Sequence, residues 1–327
     1  MKKIVIAMLA AAALVLTGCS SSTEGSAAAA AEAGPWTFTD DLGKTVTLDH
    51  RPARVAGLNE LVVSLMQYGI TPVAAWGYSS IKNDDRFKSL DTSKVTEVGA
   101  TFGEIDIEKL TAAAPELIVA HVYPTDEKGT IDKTQPDYGF KDVAQQTQIA
   151  KIAPIVTILM GGDGASVIKR TTELATSLGA PADKVAAAEK TYTAAKTDLK
   201  AAATESKVQV TALYADADGV SVAKAQDDPA LRLYADTGVD FFKPTPDGFY
   251  WGNYSWENAG KIGGDVFLLN ATGYQTAELL KQPTIAATAA VKADQIHPWS
   301  SSGLDYVSQA AYMTQLAGFL RGSKKVR

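Results

Sequence analysis

ADKVAAAEKTYTAAKTDLKAAA, residues 182–203, contains neither Gly nor Pro and is built largely from Ala, Lys, Glu and Thr. Ala, Lys and Glu lose little side-chain freedom in a helix, so this stretch reads as about six uninterrupted turns. Ala165–Ser177 just before it is helical in the same way, and only Gly179-Ala180-Pro181 separates the two. Pro181 is expected in the first turn of the second helix, where its missing N–H costs nothing. The chain therefore carries about forty residues without a strand, and what lies on either side sets the fold class.

Both sides alternate strand and helix. On the N-terminal side, Arg54–Leu58 reads as a strand, Asn59–Tyr68 as a helix and Val73–Trp76 as a strand after the Gly69-Ile70-Thr71-Pro72 break. Asp106–Ala113 is a short helix before the strand Leu117–His121, and Phe140–Thr147 is a helix before Ile155–Ile158. Beyond the long helix the alternation resumes at Val208–Tyr214. Short apolar strands separated by helices are the pattern of parallel sheets covered on both faces. Trp36–Leu48, alternating around Asp41-Leu42-Gly43-Lys44, reads as a hairpin. The reading is an α/β protein of two Rossmann-like lobes with mostly parallel sheets: an N-terminal lobe over 36–180, a connecting helix over 181–204 and a C-terminal lobe over 205–327. The alternative on pattern alone is one large doubly wound domain with a long helical excursion.

The first residues are of another kind. Lys2 and Lys3 precede an apolar run from Ile4 to Leu16, too short for a permanent bilayer span but suited to a signal-peptide core. Leu16-Thr17-Gly18-Cys19 closes the run with the one cysteine of the chain. That arrangement resembles a bacterial lipobox, which implies cleavage of residues 1–18 and a lipidated Cys19; the alternative is an ordinary secretory leader with an incidental Cys. Residues 19–35, rich in Ser, Ala and Glu, read as a flexible tether.

Composition excludes more than it assigns. Hydrophobic residues make up 46% and charged residues 21%, ordinary for a globular chain. The net charge is −6, and Lys324-Lys325-Val326-Arg327 is the one basic run, so nucleic acid is not an expected partner. An enzyme is not expected either. No G-x-S-x-G occurs, Gly161-Gly162-Asp163-Gly164 lacks the Lys and Ser/Thr of a phosphate loop, and Ser300–Ser302 beside His297 makes no oriented triad. A bare metal site would draw on His50, His121 and His297, the only histidines; His121 and His297 each end an apolar strand.

One motif occurs twice. Asp106-Ile107-Glu108 leads through Pro115-Glu116 into a strand, and Ser255-Trp256-Glu257 leads through Gly264-Asp265 into another. In both, a capping residue stands two before a Glu and an acid stands eight after it. Each Glu suits the first turn of a helix, worth about 0.3–1 kcal/mol. A symmetric pair of exposed acids could equally dock on a two-fold partner.

Taken together, these features resemble the ABC-transporter binding proteins for ferric siderophores and cobalamin. The resemblance is carried by LNELVVSLMQYGITPV (58–73), VGATFGEIDIEKLTAAAPELIV (98–119), WENAGKIGGDVFLL (256–269) and GLDYVSQAAYMTQLAGFL (303–320), in that order. It implies a monomer, exported and lipid-anchored on the outer face of the cytoplasmic membrane (or its periplasmic side in a two-membrane cell). Ligand would bind between the lobes, and Glu108 and Glu257 would meet a dimeric ABC permease. In open α/β sheets, ligand contacts collect at strand ends. Those positions hold Trp76, Tyr78, Phe102, Tyr123, Tyr250, Trp251, Tyr254 and Trp299, of which Phe102, Tyr123, Trp251 and Trp299 match the family's cleft best. Trp256 is expected to pack inward. Arg is scarce: Arg86 is placed to donate to ligand oxygens and Arg232 to face solvent. An aromatic cleft with one Arg suits a near-neutral ferric hydroxamate, with cobalamin or haem as alternatives. The chelate supplies all of the iron's ligands, so no cofactor and no protein metal ligand is expected.

Overall fold

A computed structural model describes residues 34–245, 248–299 and 303–327. Residues 1–33, with the leader, Cys19 and nearly all of the tether, lie outside the described residues, as do Ser300–Ser302.

Strands β1 (Trp36–Thr39) and β2 (Thr45–Leu48) form the antiparallel hairpin. Alternation does the sorting: Trp36 and Phe38 turn into the core while the Thr37–Thr47 and Thr39–Thr45 hydroxyl pairs face outward. Asp40 closes the turn by accepting from the Leu42 and Lys44 amides at 3.0 and 2.8 Å.

The N-terminal lobe is a parallel sheet of β3 (Val55–Leu58), β4 (Ala74–Trp76), β5 (Thr96–Gly99), β6 (Leu117–Val122) and β7 (Ile155–Leu159), in the order β5-β4-β3-β6-β7. Every residue of β6 is buried, which is why Leu117–Val122 reads as one apolar run. Strand order reverses between β3 and β6, and such a switch point opens a crevice at the strand ends. Four helices cover this sheet: α1 (Asn59–Gln67), α2 (Ile107–Ala112), α3 (Val143–Ile149) and α4 (Gly164–Ser177). Helix α3 begins later than the apolar pattern suggests. Asp142 caps it by accepting from the Gln145 amide at 2.8 Å, and Phe140 is instead buried against Trp76.

Helix α5 (Ala182–Ser206) is the connector. Pro181 stands at its N-cap, one residue earlier than expected, and Lys207 ends it in the left-handed region at φ +53°. The C-terminal lobe has strands β8 (Gln209–Ala215), β9 (Val220–Ala223), β10 (Asp240–Phe241), β11 (Trp251–Tyr254), β12 (Val266–Asn270) and β13 (Ile296–Trp299). The sheet order is β11-β9-β8-β12-β13, with β10 beside the start of β8. Here β9 and β11 run antiparallel, so this sheet is mixed. Around it lie α6 (Pro229–Asp236) and the single turns α7 (Thr276–Leu279), α8 (Pro283–Ala286) and α9 (Ala289–Lys292).

Helix α10 (Tyr306–Gly322) returns along α5. Ala188, Tyr192, Ala195, Leu199 and Ala202 of α5 are buried at alternating steps of four and three, one narrow stripe. Arg321 of α10 clamps Asp198 of α5 at 2.7 and 3.0 Å. One apolar core runs through the hairpin, α1, α4, α5, α6, α10 and one face of each sheet. Within it, the Tyr68 hydroxyl meets Thr172 at 2.9 Å and accepts from the Tyr306 amide at 3.0 Å, while Tyr234 donates to Gln309 at 2.7 Å. The lobes are thus joined by a packed spine. Among the described residues, no helix is long and apolar enough to cross a membrane.

The doubled motif gains a structural meaning. Glu116 accepts from the Ala53 and Arg54 amides at 2.7 and 3.1 Å, and Asp265 accepts from the Gln209 amide at 2.8 Å. Each acid pins the entry to the central strand of its lobe. The preceding half is less symmetric: Asp106 caps α2 through the Lys109 amide at 2.9 Å, but Ser255 makes no such bond and Glu257 stands in a 3-10 turn (Trp256–Lys261).

Candidate ligand-binding cleft

The C-terminal ends of β4, β5 and β6 deliver Tyr78, Phe102 and Tyr123 to one place. Tyr138 joins them through a loop: its amide donates to the His121 carbonyl at 2.8 Å, bridging it onto β6. The rings then touch in sequence. Tyr78 stacks on Phe102 with centroids 5.3 Å apart, and both lie within 6 Å of Tyr138. Tyr138 stacks on His121 at 5.1 Å and meets Tyr123 edge-on at 4.8 Å. Tyr123 reaches Tyr250 of the C-terminal lobe at 6.4 Å, Tyr250 packs on Trp251 at 5.2 Å, and Trp251 on Trp299 at 6.4 Å. A continuous line of aromatic rings therefore crosses from one lobe to the other.

Tyr250 is the joint in that line, and its backbone is held in the left-handed region at φ +63°. A bulky residue adopts that conformation only when its surroundings over-determine it. They do: its amide donates to Asp227 at 2.9 Å, its carbonyl accepts from the Lys224 amide at 2.9 Å, and its hydroxyl donates to Asp228 at 2.5 Å. Asp228 also caps α6 through the Leu231 amide, and burial pushes its carboxyl up. Burial likewise raises the hydroxyls of Tyr123 and Tyr250 well above their ordinary value, so these tyrosines stay neutral donors.

Two cations stand beside the rings, and among the described residues each is held by two carboxylates. Arg86 donates from Nε and Nη2 to Asp84 at 2.8 and 2.6 Å and from Nη1 to Glu60 at 3.1 Å. Burial alone would lower the Arg86 pKa, but Glu60 and Asp84 more than reverse it. Lys224 pairs with Asp227 at 3.3 Å and, across the lobes, with Glu127 at 3.1 Å. His121 is fully buried under the rings, neither ring nitrogen has a partner among the described residues, and burial holds its pKa down at about 4. Among the described residues, no group of three or more His, Cys, Asp or Glu could hold a metal ion. The arrangement can stack on, and donate hydrogen bonds to, a large ligand of little net charge.

The structure sorts the residues singled out in the sequence. Tyr78 and Phe102 are exposed at the rim, and Tyr123 and Trp251 are half-buried in the line. Trp299 ends the line but is only 4% exposed. Trp76 is 1% exposed and packs on Phe140, beneath the wall rather than on it. Tyr254 departs from the expectation: its ring is buried in the C-terminal core and its hydroxyl accepts from the Thr245 amide at 2.8 Å. Arg86 departs too, since its guanidinium is already held by carboxylates. Trp256 is half-buried against the C-terminal core, and Glu108 and Glu257 are exposed. Tyr138, Glu60, Lys224, Asp227 and Asp228 escaped the sequence reading. Asp228-Pro229 signals the start of a helix, which it is, and hides the second task of the acid.

The comparisons with known proteins agree with this architecture. A family model described as periplasmic binding protein matches residues 56–302. DesE, a ferric-siderophore receptor protein from Streptomyces coelicolor, has a similar structure, with a TM-score of 0.79 and 30% identity over 89% of this chain and 100% of that one. The siderophore periplasmic binding protein from the fuscachelin gene cluster of Thermobifida fusca gives a TM-score of 0.61 at 21% identity, over 83% of this chain and 97% of that one. Staphylococcus aureus SirA, complexed with staphyloferrin B, gives 0.61 at 18%, over 88% and 99%. At those identities the last two speak for the fold alone. No curated protein matches by sequence. The family match spans most of the chain, and the two α/β lobes on a helical spine are the fold it describes: the chain belongs to the periplasmic binding protein family.

Proposed function

We propose that this protein is the extracytoplasmic solute-binding component of an ABC importer, taking a ferric siderophore of the hydroxamate type in the interlobe cleft. The observation that carries the reading is the line of rings with pre-neutralised cations beside it. A ferric tris-catecholate carries about three negative charges and calls for cations not already satisfied. Among the described residues, Arg86 and Lys224 instead each face two carboxylates. A near-neutral chelate needs stacking surface and a few donors; Tyr78, Tyr123 and Tyr138 supply both, and Tyr250 supplies its ring, its hydroxyl being given to Asp228. The likeness to DesE at 30% identity supports the siderophore class. In this reading, residues 1–18 are a leader, Cys19 carries the lipid, 19–35 tether the lobes (36–180 and 205–327) and 181–204 connect them. The protein works as a monomer at the outer face of the cytoplasmic membrane. Glu108 and Glu257, one per lobe, are the contacts to the permease.

Quenching of tryptophan fluorescence tests it, because Trp251 and Trp299 stand in the ring line. The protein is titrated with a ferric hydroxamate, a ferric catecholate, cobalamin and haem. Saturable quenching strongest with the hydroxamate supports the reading; preference for the catecholate, cobalamin or haem refutes the ligand class, and no response to any refutes siderophore binding.

A further inference from the structure

Glu60 stands in the first turn of α1, directly after β3 at the switch point of the N-terminal sheet. Its Oε1 accepts from Arg86 at 3.1 Å, and its Oε2 is buried without a partner among the described residues. Asp84, the other acid on Arg86, has separate structural work. It accepts from both Nε and Nη2 of Arg86 and also from the Arg86 amide at 3.1 Å, capping the short turn at Asp85–Phe87. Asp84 alone would satisfy one guanidinium charge. Glu60 adds a second formal negative charge to a site already balanced.

That extra charge stands at the sheet end that carries the ligand wall, since Glu60 follows β3 as Tyr78 and Tyr123 follow β4 and β6. Burial raises the hydroxyls of Tyr78, Tyr123 and Tyr138, and the charge of Glu60 adds to the rise at all three. Its side chain is 16% exposed, so its field is weakly screened toward the rings. Among the described residues, one guanidinium with two carboxylates leaves a formal excess of one negative charge. An anionic chelate approaching Tyr78 and Tyr138 meets repulsion, whereas a neutral one loses nothing.

We infer that Glu60 is a specificity-determining residue: it sets the charge of the chelates the cleft accepts, excluding anionic ones by the negative charge it adds beside an Arg86 that Asp84 already balances. The inference rests on the proposed siderophore function and adds the residue that enforces ligand charge. Removing the charge without changing the shape tests it. Affinities for a ferric hydroxamate and a ferric catecholate are measured on wild type, Glu60→Gln and Glu60→Asp. Glu60→Gln is expected to shift the ratio of affinities toward the catecholate by about tenfold, equivalent to about 1.4 kcal/mol. Glu60→Asp keeps the charge and is expected to keep the wild-type ratio. An unchanged ratio in Glu60→Gln overturns the inference, as does an equal shift in Glu60→Asp, which would assign the effect to packing. Wild type that binds neither chelate refutes the proposed function and this inference with it; wild type that binds one, with a ratio Glu60→Gln leaves alone, overturns this inference only.

Discussion

Replacing His121 by Phe should remove a defined share of the acid sensitivity of the fold. The imidazole is fully buried, stacked on Tyr138 at 5.1 Å and edge-on to Tyr123 at 5.1 Å, with no partner for either nitrogen among the described residues. Burial holds its pKa at about 4, against 6.5 for an ordinary His. The sign follows from proton counts. Between pH 4 and pH 6.5 the unfolded chain carries a proton on this residue and the folded chain does not, so stability rises with pH across that window and is lost on acidification. From pH 7.5 down to pH 5 the loss from this one group is about 2 kcal/mol, at 1.36 kcal/mol per unit over the 1.5 units below the unfolded pKa. Phe fills the same slot and takes no proton. Urea unfolding of wild type and His121→Phe at both pH values gives the answer as a double difference in which every other titrating group cancels. Wild type should lose about 2 kcal/mol more than the variant. Parallel losses would mean that His121 titrates normally in the folded state, and its burial without partners would be wrong.

Three further outcomes are expected. Trp251→Ala, which removes the ring between Tyr250 and Trp299, should weaken ligand binding by about 1–3 kcal/mol in a fluorescence or calorimetric titration, and an unchanged Kd would take the ring out of the site. Glu108→Ala combined with Glu257→Ala should abolish uptake into cells while the purified variant still binds ligand, since both side chains are exposed; loss of binding would place them in the fold or the cleft. Cys19→Ala should move the protein from the membrane to the soluble fraction, and unchanged fractionation would refute the lipid anchor.

What the sequence made legible was local. Helix α5 declares itself because twenty-five residues lack a breaker, and β6 because a strand covered on both faces is apolar throughout. The hairpin shows as alternation. Strand-end aromatics such as Tyr78 and Tyr123 could be found because position after a parallel strand implies the crevice. Trp76 and Tyr254 were read by the same rule, but both are still inside their strands, where the sheet covers the ring. Tyr138 was invisible for the opposite reason. It lies in a long loop without period and reaches the wall through a backbone bridge to His121, followed by Gly139 at φ +95°. A Cβ at Gly139 would sit 2.8 Å from Leu58 Cδ1, so the turn that aims Tyr138 depends on glycine.

The charge of the cleft shows most clearly where sequence reasoning stops. Scarcity of Arg argued for a near-neutral ligand, yet cations are present: Arg86 and Lys224 both stand beside the rings. Their charges are offset in place. Asp84 and Asp227 lie two and three residues away in sequence, but Glu60 comes from another helix and Glu127 from the other lobe. Counting residues of one type cannot register such pairs, because only the fold brings their partners together. The distinction has consequences for how selectivity could change. A cleft without cations would need a new basic residue to accept an anionic chelate. A cleft whose cations are offset needs only the loss of one acid, a single isosteric step at Glu60 that leaves Arg86 paired with Asp84, to lift the excess negative charge from the same rings.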